Sequence, residues 1–333
     1  MKRITLLMLL LPLICISQVK PPLQVTILDS TKTEGYYFCV PFSLSVPVDY
    51  SPTQMILDNY FRIVYYRFFG AGGPLGSSTD FKIQPDGKMS YFLGNKFFIL
   101  DSNFKIIDSV SAANGYSMDP HELRILPNGN YLFLAVKDTN MNLLPYKWFG
   151  ENHDEPGLPN ANVKTAVIQE LNSKKELVFE WVSTYPGRFK FGDVDSVWLN
   201  IKPSVDWTHS NALDVDTDGN ILLSTRHFNE ITKINRTTGE IMWRFGGKNN
   251  QFIFIQDSIG FTGQHFIRRI PNGNVTLFDN GAFTDPPVAR ALEYQLDEQS
   301  KFAFLKWQYI KDINVSSTAM GSVQRLENGN TLI

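Results

Sequence analysis

Asn-Gly and Asp-Gly turns recur along this chain and constrain its fold more than any other feature. The turn glycines are Gly87, Gly129, Gly219, Gly273 and Gly329. Apolar β-forming residues flank each turn, and such a dipeptide between two apolar runs is the strongest short-range signal for a β-hairpin. The sequence therefore predicts a series of antiparallel hairpins.

A second hairpin follows most of these turns, as in residues 95–110, 166–182, 230–245 and 291–309. Two hairpins give four antiparallel strands, and four strands repeated about every 45 residues are typical of a β-propeller blade. We therefore predict an all-β fold, a six-bladed β-propeller with four-stranded blades. We expect the last blade to be incomplete and the natural chain to continue, because the sequence stops in an apolar strand. The weaker alternative is that an N-terminal strand such as Leu23–Leu28 completes that sheet. The predicted blades cover residues 24–70, 78–110, 117–183, 208–247, 263–309 and 319–333.

The first residues have the pattern of a secretory signal. Lys2 and Arg3 precede an apolar run, and small residues end it near Ser17. This predicts a signal peptide over 1–17, a propeller catalytic domain over 18–333, and export to the periplasm or beyond. A lipid anchor on Cys15 is the weaker alternative, because a bulky isoleucine precedes that cysteine.

Charge and cysteine content exclude several classes of partner and of fold. The chain has 31 basic and 33 acidic residues, so the balance gives no reason to expect a nucleic-acid partner. Apart from the signal, no apolar run is long enough to span a membrane. After signal cleavage only Cys39 remains, so no intrachain disulfide is expected.

Histidines recur at one position of the repeat. His121 and His265 each lie eight residues before a turn glycine, and His209 lies ten before one, with Asn211 at the minus-eight place. Equivalent positions on the first strands of propeller blades face the central channel, so we expect these side chains to meet at one mouth. Arg226, seven residues after its turn glycine, is predicted to lie at the same mouth.

Two long segments, 138–163 and 184–208, are placed to cap this mouth. Long segments without regular structure in a compact domain are often functional, and these are rich in aromatic residues. Trp148 and Trp207 are predicted to contact substrate. His227, beside Arg226, is predicted to point to the opposite side of its strand and to pack there.

The residue set is compatible with three kinds of function. Neutral imidazole is a good nucleophile, and an arginine with further histidines suits transfer of a phosphoryl or sulfuryl group. Three histidines are also the ligand set of catalytic zinc sites, so a metal-dependent hydrolase is an alternative. A non-catalytic exported propeller that binds a ligand at its mouth is the third.

Three segments carry a family resemblance. They are DPHELRILPNGNYLFLA, DWTHSNALDVDTDGNILLSTRHF and GQHFIRRIPNGNVTLFDNG, which begin at residues 119, 206 and 263. They resemble the bacterial arylsulfate sulfotransferases, specifically in these stretches and more loosely over 75–333. The resemblance implies an exported six-bladed propeller that transfers a sulfuryl group from an aryl sulfate to a phenol. Transfer would follow a ping-pong mechanism through a sulfohistidine, with neither a nucleotide donor nor another cofactor or metal.

The resemblance also implies roles for single residues. His265 would be the nucleophile, while His121 and His209 would act with Arg226 and Asn211 to bind sulfuryl oxygens and protonate the leaving phenolate. The chain departs from the better-known members in having room for neither their N-terminal β-sandwich nor their disulfide.

Overall fold

The structure, a computed structural model, describes residues 23, 35–41, 53–69, 78–146, 157–198, 204–312 and 315–333. The predicted signal peptide, Cys15 and Trp148 lie outside these residues. The described chain is almost entirely β, with three short 3-10 helices, which span Phe191–Asp193, Ser196–Trp198 and Arg226–Phe228. This confirms the predicted all-β class. Within the described ranges, no helix is long and apolar enough to cross a membrane.

The strands form successive antiparallel sheets in chain order, arranged as in a propeller. The first blade contains β1 (Tyr37–Cys39), β2 (Thr53–Leu57) and β3 (Ile63–Phe68). The second contains β4 (Thr79–Ile83), β5 (Met89–Leu93), β6 (Lys96–Leu100) and β7 (Ile106–Val110). The third contains β8 (Ser117–Ile125), β9 (Tyr131–Met141), β10 (Ala161–Leu171) and β11 (Leu177–Val182), with β12 (Ser204–Asp206) added in parallel to β10.

The fourth blade contains β13 (Ser210–Val215), β14 (Ile221–Thr225), β15 (Glu230–Ile234) and β16 (Ile241–Gly246). The fifth contains β18 (His265–Arg269), β19 (Val275–Asp279), β20 (Arg290–Asp297) and β21 (Phe302–Ile310), with β17 (Ile253–Ile255) added in parallel to β21. A last hairpin pairs β22 (Gln324–Arg325) with β23 (Thr331–Leu332).

The prediction of six blades of four strands is therefore wrong in its count. The described residues form five blades, of three to five strands each. Residues 319–333 contribute only a two-stranded hairpin, too little to form a stable sheet on its own. The blades with five strands gain their extra strand from connecting segments, whose parallel pairing no hairpin signal reveals.

Side chains of the inner strands pack between neighbouring blades. On β14, Leu223 belongs to the core shared with the third blade, and Leu222 belongs to the core shared with the fifth. Both faces of such a strand are buried, which explains why these strands read as continuous apolar runs. The predicted hairpin turns are confirmed, because all five turn glycines adopt positive φ, between 80° and 86°.

A β-bulge interrupts the first strand of four blades near the channel end. The breaks in pairing lie between Thr79 and Lys82, Met118 and Leu123, Ser210 and Ala212, and His265 and Arg268. A bulge adds one residue to a strand and redirects a side chain. In each blade the break lies at or next to the minus-eight position of the repeat, which is occupied by Thr79, His121, Asn211 and His265.

Candidate active site

The three repeat histidines come together at the mouth of the channel. The ring centroids of His121 and His209 are 5.3 Å apart, and those of His121 and His265 are 6.4 Å apart. Each ring comes from a different blade, the third, fourth and fifth. The fold thus places side chains that are distant in sequence within one cluster, as the repeat position predicted.

His265 is buried and held as a neutral imidazole. Its Nδ1 lies 2.7 Å from Asn280 Oδ1 and 3.0 Å from the carbonyl oxygen of Gly263. Because both partners are acceptors, Nδ1 carries the hydrogen and Nε2 keeps its lone pair. Burial, together with the positive charge of His121, lowers the pKa of His265 to about 3. At neutral pH this side chain is therefore an uncharged nucleophile.

His121 has an acidic partner instead. Its Nδ1 lies 2.7 Å from Asp119 Oδ1, which also accepts the backbone N–H of His121 at 2.9 Å. Desolvation by burial lowers the pKa of His121, but the charge and hydrogen bond of Asp119 outweigh it, and the pKa is raised above its ordinary value. His121 is therefore suited to hold a proton on Nε2 and to give it to a leaving group.

His209 makes a similar pair with Asp206. Its Nδ1 lies 2.5 Å from Asp206 Oδ2. Burial raises the pKa of Asp206, but the hydrogen bond and charge of His209 outweigh it, and the pKa is lowered overall. His209 adopts a left-handed backbone conformation, with φ of 43°, which is uncommon for a residue other than glycine and is found most often at functional sites.

Arg226 supplies the guanidinium of the cluster. Arg226 is buried, and its Nη2 donates to the carbonyl oxygen of Thr318 at 2.6 Å. Its Cζ lies 3.9 Å from the centroid of the Trp198 ring. Burial lowers the pKa of Arg226 to about 10, so the side chain stays protonated at neutral pH. Its Nε has no hydrogen-bond partner in the described part of the chain, which leaves one buried donor available for an anionic ligand.

His227 belongs to this site, contrary to the sequence prediction. Arg226 and His227 lie in a 3-10 helix rather than in a strand, so their side chains do not alternate between two faces. The His227 ring stacks on His209 at 4.7 Å between centroids and on Trp198 at 5.0 Å. The prediction that it points away from Arg226 is wrong.

Trp207, one of the two tryptophans predicted to contact substrate, lies away from the mouth. Trp207 is fully buried in the core, where it stacks on Phe191 and donates Nε1–H to the carbonyl oxygen of Phe191 at 3.2 Å. Its placement at the mouth is therefore corrected, and Trp148 lies outside the described residues. Trp198, from the same connecting segment, takes the position against Arg226 and His227.

Asn211 is buried beside the cluster but is engaged with the backbone. Its Nδ2 donates to the carbonyl oxygen of Gln264 at 2.7 Å, which ties the fourth blade to the strand that carries His265. Its Oδ1 has no partner within the described ranges. In this arrangement Asn211 is bound to the strand that carries His265, and direct contact with substrate stays a prediction.

Sequence reasoning missed Asn280, Asp119 and Asp206. A signal for Asn280 was present, since it lies seven residues after Gly273, the position that selected Arg226 in the preceding repeat. Asp119 likewise occupies the minus-ten position that His209 occupies in its own repeat. Asp206 had no such signal, because it ends a short strand that belongs to another blade's sheet.

A cavity of about 420 Å³ opens beside the histidines. Its lining combines the two acid-paired histidines with apolar side chains, among them Phe92 and Met118. A larger cavity of about 900 Å³ lies between β21 and the last hairpin, and it contains none of the histidines. The smaller cavity is the candidate substrate pocket because it contacts two of the three histidines, while His265 and Arg226 are not among its lining residues.

Within the described residues, the side chains close enough to share a metal ion are not the three predicted histidines. They are Asp206, His209 and His227, whose ligand atoms lie within 4.8 Å of one another. Both nitrogens of His227 already have partners, and one of these is the cationic Arg226, 3.1 Å away. A guanidinium at this distance opposes a bound cation, so the arrangement fits a metal poorly.

The fold and the cluster define a β-propeller with an imidazole-rich site at its channel mouth. The chain belongs to the arylsulfotransferase (ASST) family, whose sequence model matches residues 42–333. Membership supports aryl sulfotransfer as the general activity, implies that the chain is a sulfotransferase, and is consistent with small-molecule substrates. No curated protein matches the chain.

Solved structures with a similar fold include a protein of unknown function from Bacteroides caccae. It is 14% identical, with a TM-score of 0.50, and the match covers 90% of this chain and 82% of that one. Virginiamycin B lyase from Staphylococcus aureus is 11% identical, with a TM-score of 0.42 and coverage of 88% and 93%. The β-propeller domain of Myceliophteria thermophila Cps50 (Swd1) is 12% identical, with a TM-score of 0.39 and coverage of 80% and 68%. At these identities the likeness concerns fold alone.

Proposed function

We propose that the protein transfers a sulfuryl group from an aryl sulfate ester to a phenolic acceptor, through a sulfohistidine on His265 Nε2. The observation that carries this proposal is the difference between the histidines. The Nδ1 of His265 faces an amide and a carbonyl oxygen, whereas the Nδ1 of His121 and of His209 faces a carboxylate. Burial and the charge of His121 keep His265 neutral for attack, whereas Asp119 favours the protonated form of His121.

In the first half-reaction, the Nε2 lone pair of His265 attacks the sulfur atom, and the bond between sulfur and the aryl oxygen breaks. The aryl oxygen takes the proton of His121 Nε2 and leaves as a phenol. The Nδ1–H of His265 stays in place, so the sulfated ring carries a positive charge. Asn280 Oδ1 and the Gly263 carbonyl oxygen accept this N–H and stabilise that charge.

In the second half-reaction, the acceptor phenol gives its proton to His121 and its oxygen attacks sulfur. The bond between sulfur and Nε2 then breaks, and His265 returns to its neutral form. Charge on the three sulfuryl oxygens grows and redistributes in both transition states. We assign the binding of one of these oxygens to the Nε–H of Arg226, a buried donor without a partner in the described residues.

A backbone contact must change before attack. The N–H of Met320 donates to His265 Nε2 at 3.2 Å, and therefore occupies the lone pair that attacks sulfur. Met320 has a left-handed φ of 64°, so its peptide is held in an uncommon conformation. When the donor binds, the same N–H is free to bind a sulfuryl oxygen instead.

Steady-state kinetics with a chromogenic aryl sulfate and a phenol test this proposal. Double-reciprocal plots of donor at several fixed phenol concentrations should give parallel lines, since donor phenol leaves before the acceptor attacks. Incubation with donor alone should label the wild type with acid-labile, base-stable sulfate, and His265→Asn should not be labelled. Intersecting lines would show direct transfer in a ternary complex and end the covalent proposal.

A metal-dependent hydrolase is the alternative that the group of Asp206, His209 and His227 raises. Elemental analysis of the purified protein distinguishes it. Stoichiometric zinc, with loss of activity on chelation, would favour the hydrolase. Turnover that survives exhaustive chelation and depends on added phenol would favour sulfotransfer.

A further inference from the structure

We infer that His227 is a positioning residue, which fixes the Arg226 guanidinium in the geometry that binds the transferred group. The inference rests on the proposed function and extends it to a residue outside the histidine set of the repeat. His227 occupies neither repeat position that selected the other site residues. What singles it out is its set of contacts.

The hydrogen bonds of His227 define its tautomer. Its Nδ1 lies 2.8 Å from the backbone carbonyl oxygen of Asp206, which accepts only, so Nδ1 carries the hydrogen. Its Nε2 therefore has a free lone pair, and it lies 3.1 Å from Nη1 of Arg226. Guanidinium nitrogens only donate, so this contact is a hydrogen bond from Arg226 to a neutral imidazole.

Burial favours the same form. Desolvation and the nearby positive charges of His209 and Arg226 lower the pKa of His227 to about 3. The ring is buried between His209 and Trp198, and it stacks on Trp198 with an interplanar angle of 13°. A side chain packed on both faces and hydrogen-bonded at both nitrogens has one orientation.

This rigid ring in turn restricts Arg226. Nη1 is held by His227 and Nη2 by the Thr318 carbonyl oxygen, and the guanidinium plane packs on Trp198. The one group without a partner in the described structure is Nε. Loss of the His227 acceptor would free Nη1 to turn, and the preorganised direction of the remaining donor would be lost.

Two substitutions at His227 separate positioning from packing. His227→Phe keeps a ring that can stack on Trp198 and removes both nitrogens. His227→Gln offers an oxygen that can accept from Arg226. We expect the phenylalanine variant to lose kcat and affinity for inorganic sulfate by roughly 10- to 100-fold, the effect of a hydrogen bond to a charged group. We expect the glutamine variant to recover most of both.

A double-mutant cycle with Arg226→Lys tests whether His227 acts through Arg226. In the lysine background, His227→Phe should change kcat by no more than about twofold, because the partner it positions is already gone. Phe81→Leu, in a buried cluster of the first two blades without site residues, is the matched control for loss of stability. Wild-type kcat in His227→Phe, or equal losses in both backgrounds, would overturn the inference.

A measurement on the wild type decides the point even if His227→Phe does not fold. In protein with ¹⁵N-labelled histidine, the His227 ring should show the Nδ1–H tautomer and stay neutral at pH 6. The Nε2–H tautomer or a protonated ring would contradict the bond from Arg226. Should the wild type not turn over aryl sulfates, the proposed function fails, while sulfate binding and the tautomer still report on His227.

Discussion

Asn280 Oδ1 lies 2.7 Å from Nδ1 of His265, and Asp119 Oδ1 lies at the same distance from Nδ1 of His121. Two imidazoles in one cluster thus have different partners at the same ring nitrogen. The carboxylate favours the protonated form of His121, whereas burial and the charge of His121 keep His265 neutral beside its amide partner. The pairing therefore separates a nucleophile from an acid within a distance of a few ångströms.

Asn280→Asp should make the protonation of His265 more like that of His121. A carboxylate next to Nδ1 raises the pKa of His265 from its value of about 3, so a larger fraction of the ring is protonated as pH falls. We expect the rate of His265 labelling to fall at acidic pH in the variant, over a range where the wild-type rate is flat. Rapid-quench measurement of bound sulfate between pH 5 and 8 gives this profile.

Asn103→Asp, which adds the same charge in an exposed turn, is the control for Asn280→Asp and should behave as the wild type. A flat profile in the Asn280 variant would show that the amide does not set the protonation of His265.

Asp119→Asn should shift the alkaline limb of the pH profile of kcat/KM. The folded pKa of His121 is raised by Asp119, so the acid form is present below that pKa and is lost as pH rises through it. Without the carboxylate, desolvation remains and the pKa falls. We expect the alkaline limb of kcat/KM to move to lower pH, as measured with a donor whose phenol is weakly acidic. Asp86→Asn, in an exposed turn, serves as control, and an unmoved limb would remove His121 from the role of acid.

The sequence predicted the convergence of the histidines because it depends on a repeat. Residues at one distance from a hairpin turn occupy one place in each blade, and the pairing is interrupted at that place in the blades that carry His121, Asn211 and His265. The same reasoning predicted that Arg226 lies near the cluster, although Arg226 begins a 3-10 helix and is not part of the strand.

Features that depend on contacts between distant segments were not predictable in this way. The 3-10 helix that turns His227 into the site begins where β14 ends, and no periodic pattern marks that change. Trp198 and Trp207 lie in one connecting segment and were equally plausible at the mouth. Only packing decides between them, since Trp207 fills the core against Phe191 while Trp198 remains half-buried.

Arg226→Lys should impair turnover although the positive charge is kept. A guanidinium is held at Nη1 and Nη2 and still offers Nε–H, whereas an ammonium has no comparable fixed plane. Removal of one preorganised donor typically costs about 2.7–4 kcal/mol of transition-state stabilisation, or roughly 100- to 1000-fold in kcat. Arg236→Lys, in an ion pair with Glu170, is the control for the same chemical change elsewhere. Near-normal kcat in Arg226→Lys would place this arginine outside the reaction.

Gly321→Ala should disturb the segment that contacts His265 and Arg226. Gly321 has a φ of 109°, and an added Cβ would collide with the ring of Phe278. Movement of this segment should displace Met320 N–H from the site and the Thr318 carbonyl oxygen from Arg226. Labelling of His265 should slow, because the sulfuryl group loses the Met320 N–H and Arg226 loses one of the acceptors that hold it. Gly329→Ala is the matched control, since it also has positive φ, 85°, but a Cβ there meets open space. Equal labelling rates in Gly321→Ala and Gly329→Ala would show that the segment around Met320 does not affect attack by His265 Nε2.

His121→Gln should affect poor leaving groups more than good ones. A strongly acidic phenol leaves without a proton, whereas a weakly acidic one needs the proton of His121 as the bond between sulfur and oxygen breaks. General acid catalysis typically contributes about 10²- to 10⁴-fold. We therefore expect a small loss for a nitrophenyl sulfate, whose phenol leaves without a proton, and a loss within this range for an unsubstituted phenyl sulfate. A plot of log kcat/KM against the pKa of the leaving phenol, measured for wild type and variant, should be steeper for the variant. Parallel plots would mean that the proton comes from another group, and His209, whose Nδ1 is also paired with a carboxylate, would then be the residue to substitute.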